Sequence, residues 1–90
     1  MSVAYKTIQI VSREFLDALF DCEGSKYRPI GKFLCRDVVN GKTVWVAVDN
    51  SSGEAFTEEF AYRRNAAKYL HGYPVENIQG DPLNVSGRWS

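Results

Sequence analysis

Few residues in this chain have the chemistry of a nucleophile, a general base or a soft metal ligand; they are Cys22, Cys35 and His71. Structural zinc takes four nitrogen or sulfur ligands, whereas these three are scattered and include no Cys-x-x-Cys pair. A catalytic cysteine needs a histidine that a third group orients, and Cys35 falls in a strand-like run while His71 ends a helix-like run. The pattern predicts no enzyme activity, no metal and no cofactor, and it predicts that both cysteines are buried free thiols.

The segment DNSSGE at residues 49–54 is the other candidate for a metal site, because its oxygen-bearing side chains suit calcium. An EF-hand loop needs glycine at its sixth position and glutamate at its twelfth. Counted from Asp49, Gly53 comes fifth and Phe60 comes twelfth, so the spacing is wrong for calcium. A hairpin loop of residues 50–53 fits better, because glycine readily takes the left-handed conformation that closes such a loop.

Length and composition limit the remaining classes of protein. Ninety residues, 44% of them hydrophobic, suit a single domain over residues 1–90 with its own core. Basic and acidic residues number 11 each, so the chain is neither a strongly cationic nucleic-acid binder nor an acidic DNA mimic. No apolar run reaches membrane-spanning length, and the N-terminus lacks the layout of a signal peptide. We therefore expect a cytoplasmic protein with no membrane contact.

The first helix is predicted to follow Ser12, whose hydroxyl can accept a hydrogen bond from a free amide of the first turn. Leu16 and Leu19 recur at helical spacing, and the helix is expected to end near Gly24. Residues 3–11 leave two alternatives open, a short strand or an earlier turn of the same helix.

A β-hairpin is the clearest local signal in the chain. The runs GKFLCRDVV and KTVWVAVD are joined by Asn40-Gly41, the favoured two-residue type I′ turn, because both turn positions need positive φ. This turn sets the pairing, so that Arg36 faces Trp45 and its guanidinium is expected to lie on the indole ring.

Residues 55–60 are predicted to form a third strand, which completes an antiparallel meander. Phe56 and Phe60 then share the face of Trp45, and Glu58 points to the same face beside that tryptophan. Both faces of the meander are apolar, so both must be covered. Either the two helices or a partner cover them, and the sequence leaves open which helix covers which face.

The second helix is predicted at residues 62–71, because Gly72 suits a left-handed cap and Pro74 cannot continue the helix. Its buried side is predicted to contain Tyr62, Ala66, Tyr69 and Leu70, and its exposed basic stripe Arg64, Lys68 and His71. Arg63 lies at the margin of the buried side, where we expect it to pair with Glu58 or Glu59.

The predicted fold class is therefore α+β: a helix, a three-stranded antiparallel β-meander, a second helix and an extended C-terminal tail. The tail covers residues 75–90, where no periodicity is visible, and is expected to pack through Leu83, Val85 or Trp89.

Partner binding is the hypothesis that the remaining side chains favour, because Trp, Tyr and Arg dominate the energetics of protein interfaces. The expected binding residues are Arg36, Trp45, Arg63, Arg64, Lys68 and Tyr69. The expected partner is a protein or a protein–nucleic-acid complex. Direct contact of the basic helix at residues 62–71 with nucleic acid is the alternative, and a homodimer is also left open.

The segment VWVAVDNSSGEAFTEEF, followed by AAKYLHG, resembles a pattern in small uncharacterised proteins of bacterial phages and mobile elements. In that pattern a hairpin, an acidic-glycine turn, a strand and a short helix follow one another. Tyr62 departs from it, since a Ser or Thr helix cap tends to stand there. Many phage proteins of this size with assigned roles inhibit a host enzyme or defence complex, including anti-CRISPR proteins. The resemblance implies a phage-encoded inhibitor of a host nuclease or defence complex.

Overall fold

The computed structural model describes residues 8–22 and 26–84. Its elements in chain order are β1 (Ile8–Val11), α1 (Arg13–Phe20), β2 (Gly31–Val39), β3 (Lys42–Asn50), β4 (Phe56–Phe60), α2 (Arg63–Leu70) and a 3₁₀ helix (Val75–Asn77). The strands form one sheet in the order β1-β2-β3-β4. β1 runs parallel to β2, and the other neighbouring strands are antiparallel.

The α+β class is confirmed, but the predicted three-stranded meander is only part of the sheet, because Ile8–Val11 adds a fourth strand. Ile8 pairs with Lys32 and Val11 with Cys35. Four residues are too few for periodicity to separate a strand from a helical turn, so pairing with β2 decides the outcome. Residues 3–7, the rest of the ambiguous segment, lie outside the described residues.

Helix α1 begins where Ser12 was expected to cap it, since Ser12 Oγ accepts a hydrogen bond of 3.1 Å from Phe15 N. Leu16 and Leu19 are buried, as their spacing predicts. The helix ends at Phe20, before Gly24, and Gly24 itself lies outside the described residues.

The β2–β3 hairpin has the predicted turn and the predicted register. Asn40 and Gly41 take φ values of 53° and 77°, which is the left-handed region that a type I′ turn requires. Arg36 lies directly opposite Trp45, so the pairing expected from the turn is confirmed.

The β3–β4 connection is longer than the predicted four-residue loop. β3 continues to Asn50 and β4 begins at Phe56, because Ala55 as well as Gly53 takes a left-handed φ. The buried Asn50 side chain organises this connection through three hydrogen bonds. Its amide donates to Tyr27 O and Pro29 O, and its oxygen accepts from Ala55 N.

The longer connection moves the β4 register along the strand but keeps each side chain on its predicted face. Phe60 lies opposite Trp45, and Glu58 lies opposite Ala47 rather than beside the tryptophan. Successive side chains alternate between faces, so the expected sharing of one face by these residues is confirmed.

Two apolar clusters lie on the two faces of the sheet, and each is covered by one helix. α1 packs on the cluster made of Leu16, Leu19, Phe33, Cys35, Val44, Val46 and Val48. α2 packs on the cluster made of Leu34, Ala47, Phe60, Ala66, Leu70 and Ile78. The prediction that both faces are covered is confirmed, and the covering elements include both helices.

The chain after α2 is not an extended tail as far as the structure describes it. Gly72 takes a φ of 101° and Tyr73 N donates to Lys68 O, which is the Schellman ending of a helix. After the 3₁₀ helix, Ile78, Asp81 and Asn84 are buried. The segment packs through these side chains rather than through Leu83, which is exposed, and Val85 and Trp89 lie outside the described residues.

Candidate partner-binding surface

Helix α2 covers only part of its face of the sheet and leaves one end of that face uncovered. The helix packs over Leu34, Ala47 and Phe60. Towards the β2–β3 turn the same face carries Trp45, which is half-buried, and Arg36, which is exposed. The register of the hairpin therefore places a cation and an aromatic ring side by side at the edge of the helix-covered area.

Exposed aliphatic side chains flank this pair. Ile10 and Val38 expose 59% and 55% of their surface. Ile10 pairs with Leu34, and Val38 follows Arg36 by two residues on β2, so both point to the α2 face. This end of the sheet thus combines apolar area with a positive charge.

Two consecutive arginines at the start of α2 lie on aromatic rings. The Arg63 guanidinium carbon is 5.7 Å from the Trp45 ring centroid, and that of Arg64 is 4.6 Å from the Tyr62 ring centroid. The cation over Trp45 therefore belongs to Arg63 and not, as expected, to Arg36. We call the whole region the arginine–tryptophan surface, and it comprises Ile10, Arg36, Val38, Trp45, Tyr62, Arg63 and Arg64.

Carboxylates do not neutralise these arginines within residues 8–22 and 26–84. Both ion pairs of the described chain involve Arg13, which meets Asp17 at 3.0 Å and Asp37 at 3.6 Å on the α1 side. The expected pairing of Arg63 with Glu58 or Glu59 is wrong in this part of the chain. Glu58 Oε1 instead accepts a hydrogen bond of 2.8 Å from Asn84 Nδ2.

A distant carboxylate supports the N-terminus of α2. Tyr62 occupies the cap position and makes no side-chain cap, and the first turn contains no acidic residue. Asp81, fully buried, holds the residues just before this turn and the Asn65 side chain instead. Its carboxylate accepts hydrogen bonds from Ala61 N, Tyr62 N, Asn65 Nδ2, Leu83 N and Asn84 N.

These hydrogen bonds keep Asp81 ionised. Burial alone raises the pKa of this carboxyl, but donation from Ala61 N, Asn65 Nδ2 and the other amides outweighs it, so the pKa lies below the ordinary 3.8. Asp81 was not among the residues singled out from the sequence. The available signal was Asp81-Pro82, since Asp before Pro favours a turn in which the carboxylate accepts from following amides.

Lys68 and Tyr69, the other predicted binding residues, are not part of the arginine–tryptophan surface. Lys68 is exposed on the outer side of α2. Tyr69 is half-buried, with its ring centroid 6.0 Å from that of Phe60. Burial, and then the charges of Glu58 and Asp49, raise the pKa of Tyr69 to about 12. Tyr69 therefore contributes to packing under the helix.

The other candidate chemical groups are engaged in local structure. Cys35 is fully buried, and burial followed by the charge of Asp37 raises the pKa of its thiol. Cys22 is half-buried, and its thiol donates to Arg28 O at 3.3 Å. Asp49 Oδ1 accepts from the amide and hydroxyl of Ser51. In the described ranges no three His, Cys, Asp or Glu side chains group in a way that suits a metal ion.

No helix in the described part of the chain is long and apolar enough to cross a membrane.

No protein-family model, curated protein or solved structure matches this chain. The resemblance of residues 44–72 to phage and mobile-element proteins therefore rests on the sequence pattern alone.

Proposed function

We propose that this chain is a non-enzymatic protein-binding module that inhibits a bacterial host nuclease or defence complex as a phage-encoded protein. The single observation that carries the binding role is the arginine–tryptophan surface, where Arg63 lies on Trp45 beside the exposed Arg36. Trp and Arg are the residue types whose truncation most weakens protein interfaces. The inhibitory role comes from the resemblance to phage proteins.

The arrangement of this surface supports binding rather than core packing. A guanidinium that rests on a ring has fewer conformations to lose when a partner arrives, which reduces the entropic cost of association. Exposed aliphatic groups at Ile10 and Val38 add apolar area of the kind that interface centres bury.

Phage plating on a panel of bacterial strains, each protected by one nuclease-based defence such as a CRISPR–Cas system, tests the proposal. Expression of the chain should raise plating efficiency in at least one strain. The double variant Trp45→Ala/Arg63→Ala should lose this effect, because a hot-spot residue contributes roughly 2 kcal/mol or more, or about a 30-fold change in affinity. Lys42→Ala, at the exposed β2–β3 turn, is the control and should retain it. Unchanged plating in every strain would contradict the proposal.

A nucleic-acid-contacting accessory protein is the second candidate. It is favoured by the exposure of Arg64, Lys68 and His71 along one side of the segment at residues 62–71. Binding through phosphates weakens steeply with salt. A strong salt dependence of oligonucleotide binding, lost in Lys68→Gln and retained in Trp45→Ala, would favour this candidate over the first.

A further inference from the structure

The two arginines at the start of α2 stand where a helix usually carries acidic side chains. Arg63 and Arg64 are the first helical residues after Tyr62, and no acidic residue shares their turn. The N-terminus of a helix carries a partial positive charge, so cations there are unfavourable. The buried Asp81 carboxylate supplies negative charge on the interior side of this turn, so among the described residues the two guanidinium groups stay unpaired on its exposed side, and positions at which a sequence breaks a local rule are often functional.

The arginines of the arginine–tryptophan surface are not neutralised by neighbouring carboxylates in the described part of the chain. Arg36, Arg63 and Arg64 have no carboxylate partner within residues 8–22 and 26–84. Glu58 and Asp49 lie on the α2 face but outside ion-pair distance of these arginines. Other acidic side chains lie on and near α1, which covers the opposite face of the sheet. These side chains are Glu14, Asp17, Asp21 and Asp37.

We infer that the partner of this chain presents a carboxylate-rich protein surface to the arginine–tryptophan surface. The planar guanidinium groups of Arg63 and Arg64, held on Trp45 and Tyr62, bind Asp or Glu side chains in forked pairs. Apolar side chains of the partner lie to one side of these carboxylates and contact Ile10 and Val38. This inference rests on the proposed protein-binding role and adds to it the binding face and the chemistry of the partner.

Three observations favour an acidic protein over a nucleic acid. Single-stranded nucleic acids bind through bases stacked on aromatic rings, but Trp45 and Tyr62 already carry guanidinium groups. The exposed aliphatic groups of Ile10 and Val38 have no counterpart in a phosphate backbone. The chain as a whole has a net charge of zero, whereas nucleic-acid binders of this size are typically basic.

The experiment is a nuclear magnetic resonance titration of the full chain with three probes. The first is a peptide of alternating Glu and Leu, the second a matched peptide of alternating Glu and Ser, and the third a short oligothymidine. We expect the Glu/Leu peptide to bind most tightly. It should shift the indole Nε1–H signal of Trp45 and the Nε–H signals of Arg63 and Arg64.

Matched variants separate a specific site from general charge attraction. Arg63→Gln/Arg64→Gln should weaken binding of the Glu/Leu peptide at least about tenfold, because charge-assisted hydrogen bonds are lost. The control Arg13→Gln/Lys42→Gln also removes two positive charges, but these lie away from the arginine–tryptophan surface, so this variant should retain binding. Arg63→Lys/Arg64→Lys keeps the charge but loses the planar fork, so it should bind measurably more weakly than wild type. Melting temperatures confirm that each variant is folded.

Several outcomes would overturn the inference. They are tighter binding of oligothymidine than of the Glu/Leu peptide, equal losses in the Arg63/Arg64 and Arg13/Lys42 double variants, and arginine-dependent self-association in sedimentation, which would make a second copy the occupant.

The plating assay separates this inference from the proposed function. If Arg63→Gln/Arg64→Gln loses peptide binding and still inhibits host defence, the inference is wrong while the inhibitory role stands. If wild type binds the peptide as expected and inhibits no defence, the inhibitory role is wrong while the acidic-protein surface stands.

Discussion

Replacement of Asp81 by alanine should destabilise the protein more than most single substitutions. The carboxylate is fully buried and joins two parts of the chain that are distant in sequence. On one side it accepts from Ala61 N, Tyr62 N and Asn65 Nδ2 at the start of α2. On the other it accepts from the following amides of its own turn. Asp81→Ala removes every one of these acceptors at once.

The expected magnitude follows from the exposure of the stranded donors. Tyr62 and Leu83 are exposed, so water can replace the carboxylate at their amides. Asn65 and Asn84 are buried, and a buried donor without an acceptor costs about 1 kcal/mol or more. The half-buried Ala61 amide loses its acceptor as well, which costs about 1 kcal/mol in addition. The free energy of unfolding should therefore fall by about 3 kcal/mol, which lowers the melting temperature by roughly 15 °C for a domain of this size.

Asp81→Asn should cost less, about 1 kcal/mol, because one oxygen remains. An amide oxygen in the place of Oδ1 keeps the bonds from Ala61 N and from the amides of the turn. An NH₂ group in the place of Oδ2 then faces the Asn65 amide, 3.0 Å away in the native protein. Introducing Asn65→Asp as well restores a donor–acceptor pair, so the double variant should recover stability relative to either single variant.

Acid titration gives an independent test of the same carboxylate. The pKa of Asp81 in the folded chain lies below its ordinary 3.8, so the unfolded chain binds the proton more readily. The stabilising contribution is then complete above about pH 4 and is lost as pH falls through the lower, folded pKa. Asp81→Asn should show a shallower loss of stability in acid than wild type.

Chemical denaturation followed by circular dichroism, repeated from neutral to acid pH, measures all of these quantities. An Asp81→Ala variant within about 0.5 kcal/mol of wild type would refute the assignment of Asp81 as the carboxylate that joins the start of α2 to the C-terminal segment. Additive effects of Asp81→Asn and Asn65→Asp would refute the direct contact between the two side chains.

The other predictions concern single sites. Gly41→Val should cost about 2 kcal/mol in denaturant melts, because a β-branched residue resists the left-handed φ of 77°; an unchanged midpoint would contradict the turn. Asn50→Leu should cost about 3 kcal/mol, because it strands the backbone partners of a buried amide; a near-neutral effect would show that water replaces it. Tyr69 should titrate near pH 12 by ultraviolet absorbance. Since the unfolded group titrates near 10, stability should fall above about pH 10, less so in Tyr69→Phe. Alkylation of the native protein should label the half-buried Cys22 before the buried Cys35, and both should react after denaturation; equal native rates would be contrary evidence.

The parts of the fold that were predictable from sequence are those that neighbouring residues determine. Asn40-Gly41 sets the hairpin because the turn type needs two residues that tolerate positive φ. Ser12 and Gly72 mark helix ends for similarly local reasons. Strand β1 was not predictable with the same certainty, because a run of four residues becomes a strand only through pairing with β2.

The candidate surface was predictable in its residue types and only partly in its contacts. The hairpin register brings Arg36 and Trp45 together, and that follows from the turn. The contact of Arg63 with Trp45 depends on how α2 lies across the sheet, which no local pattern encodes. Asp81 was missed for the same reason, since its partners on α2 are distant in sequence.

The position of Asp81 gives a physical reason why α2 can begin with two arginines. A helix N-terminus normally gains stability from an acidic side chain in its first turn, but here that turn carries Arg63 and Arg64. The buried carboxylate of Asp81 supplies the negative charge from the protein interior, so the exposed side of the turn can carry cations. The geometry of the arginine–tryptophan surface therefore depends on the C-terminal segment, and loss of Asp81 should displace the arginines from their rings even where the sheet remains folded.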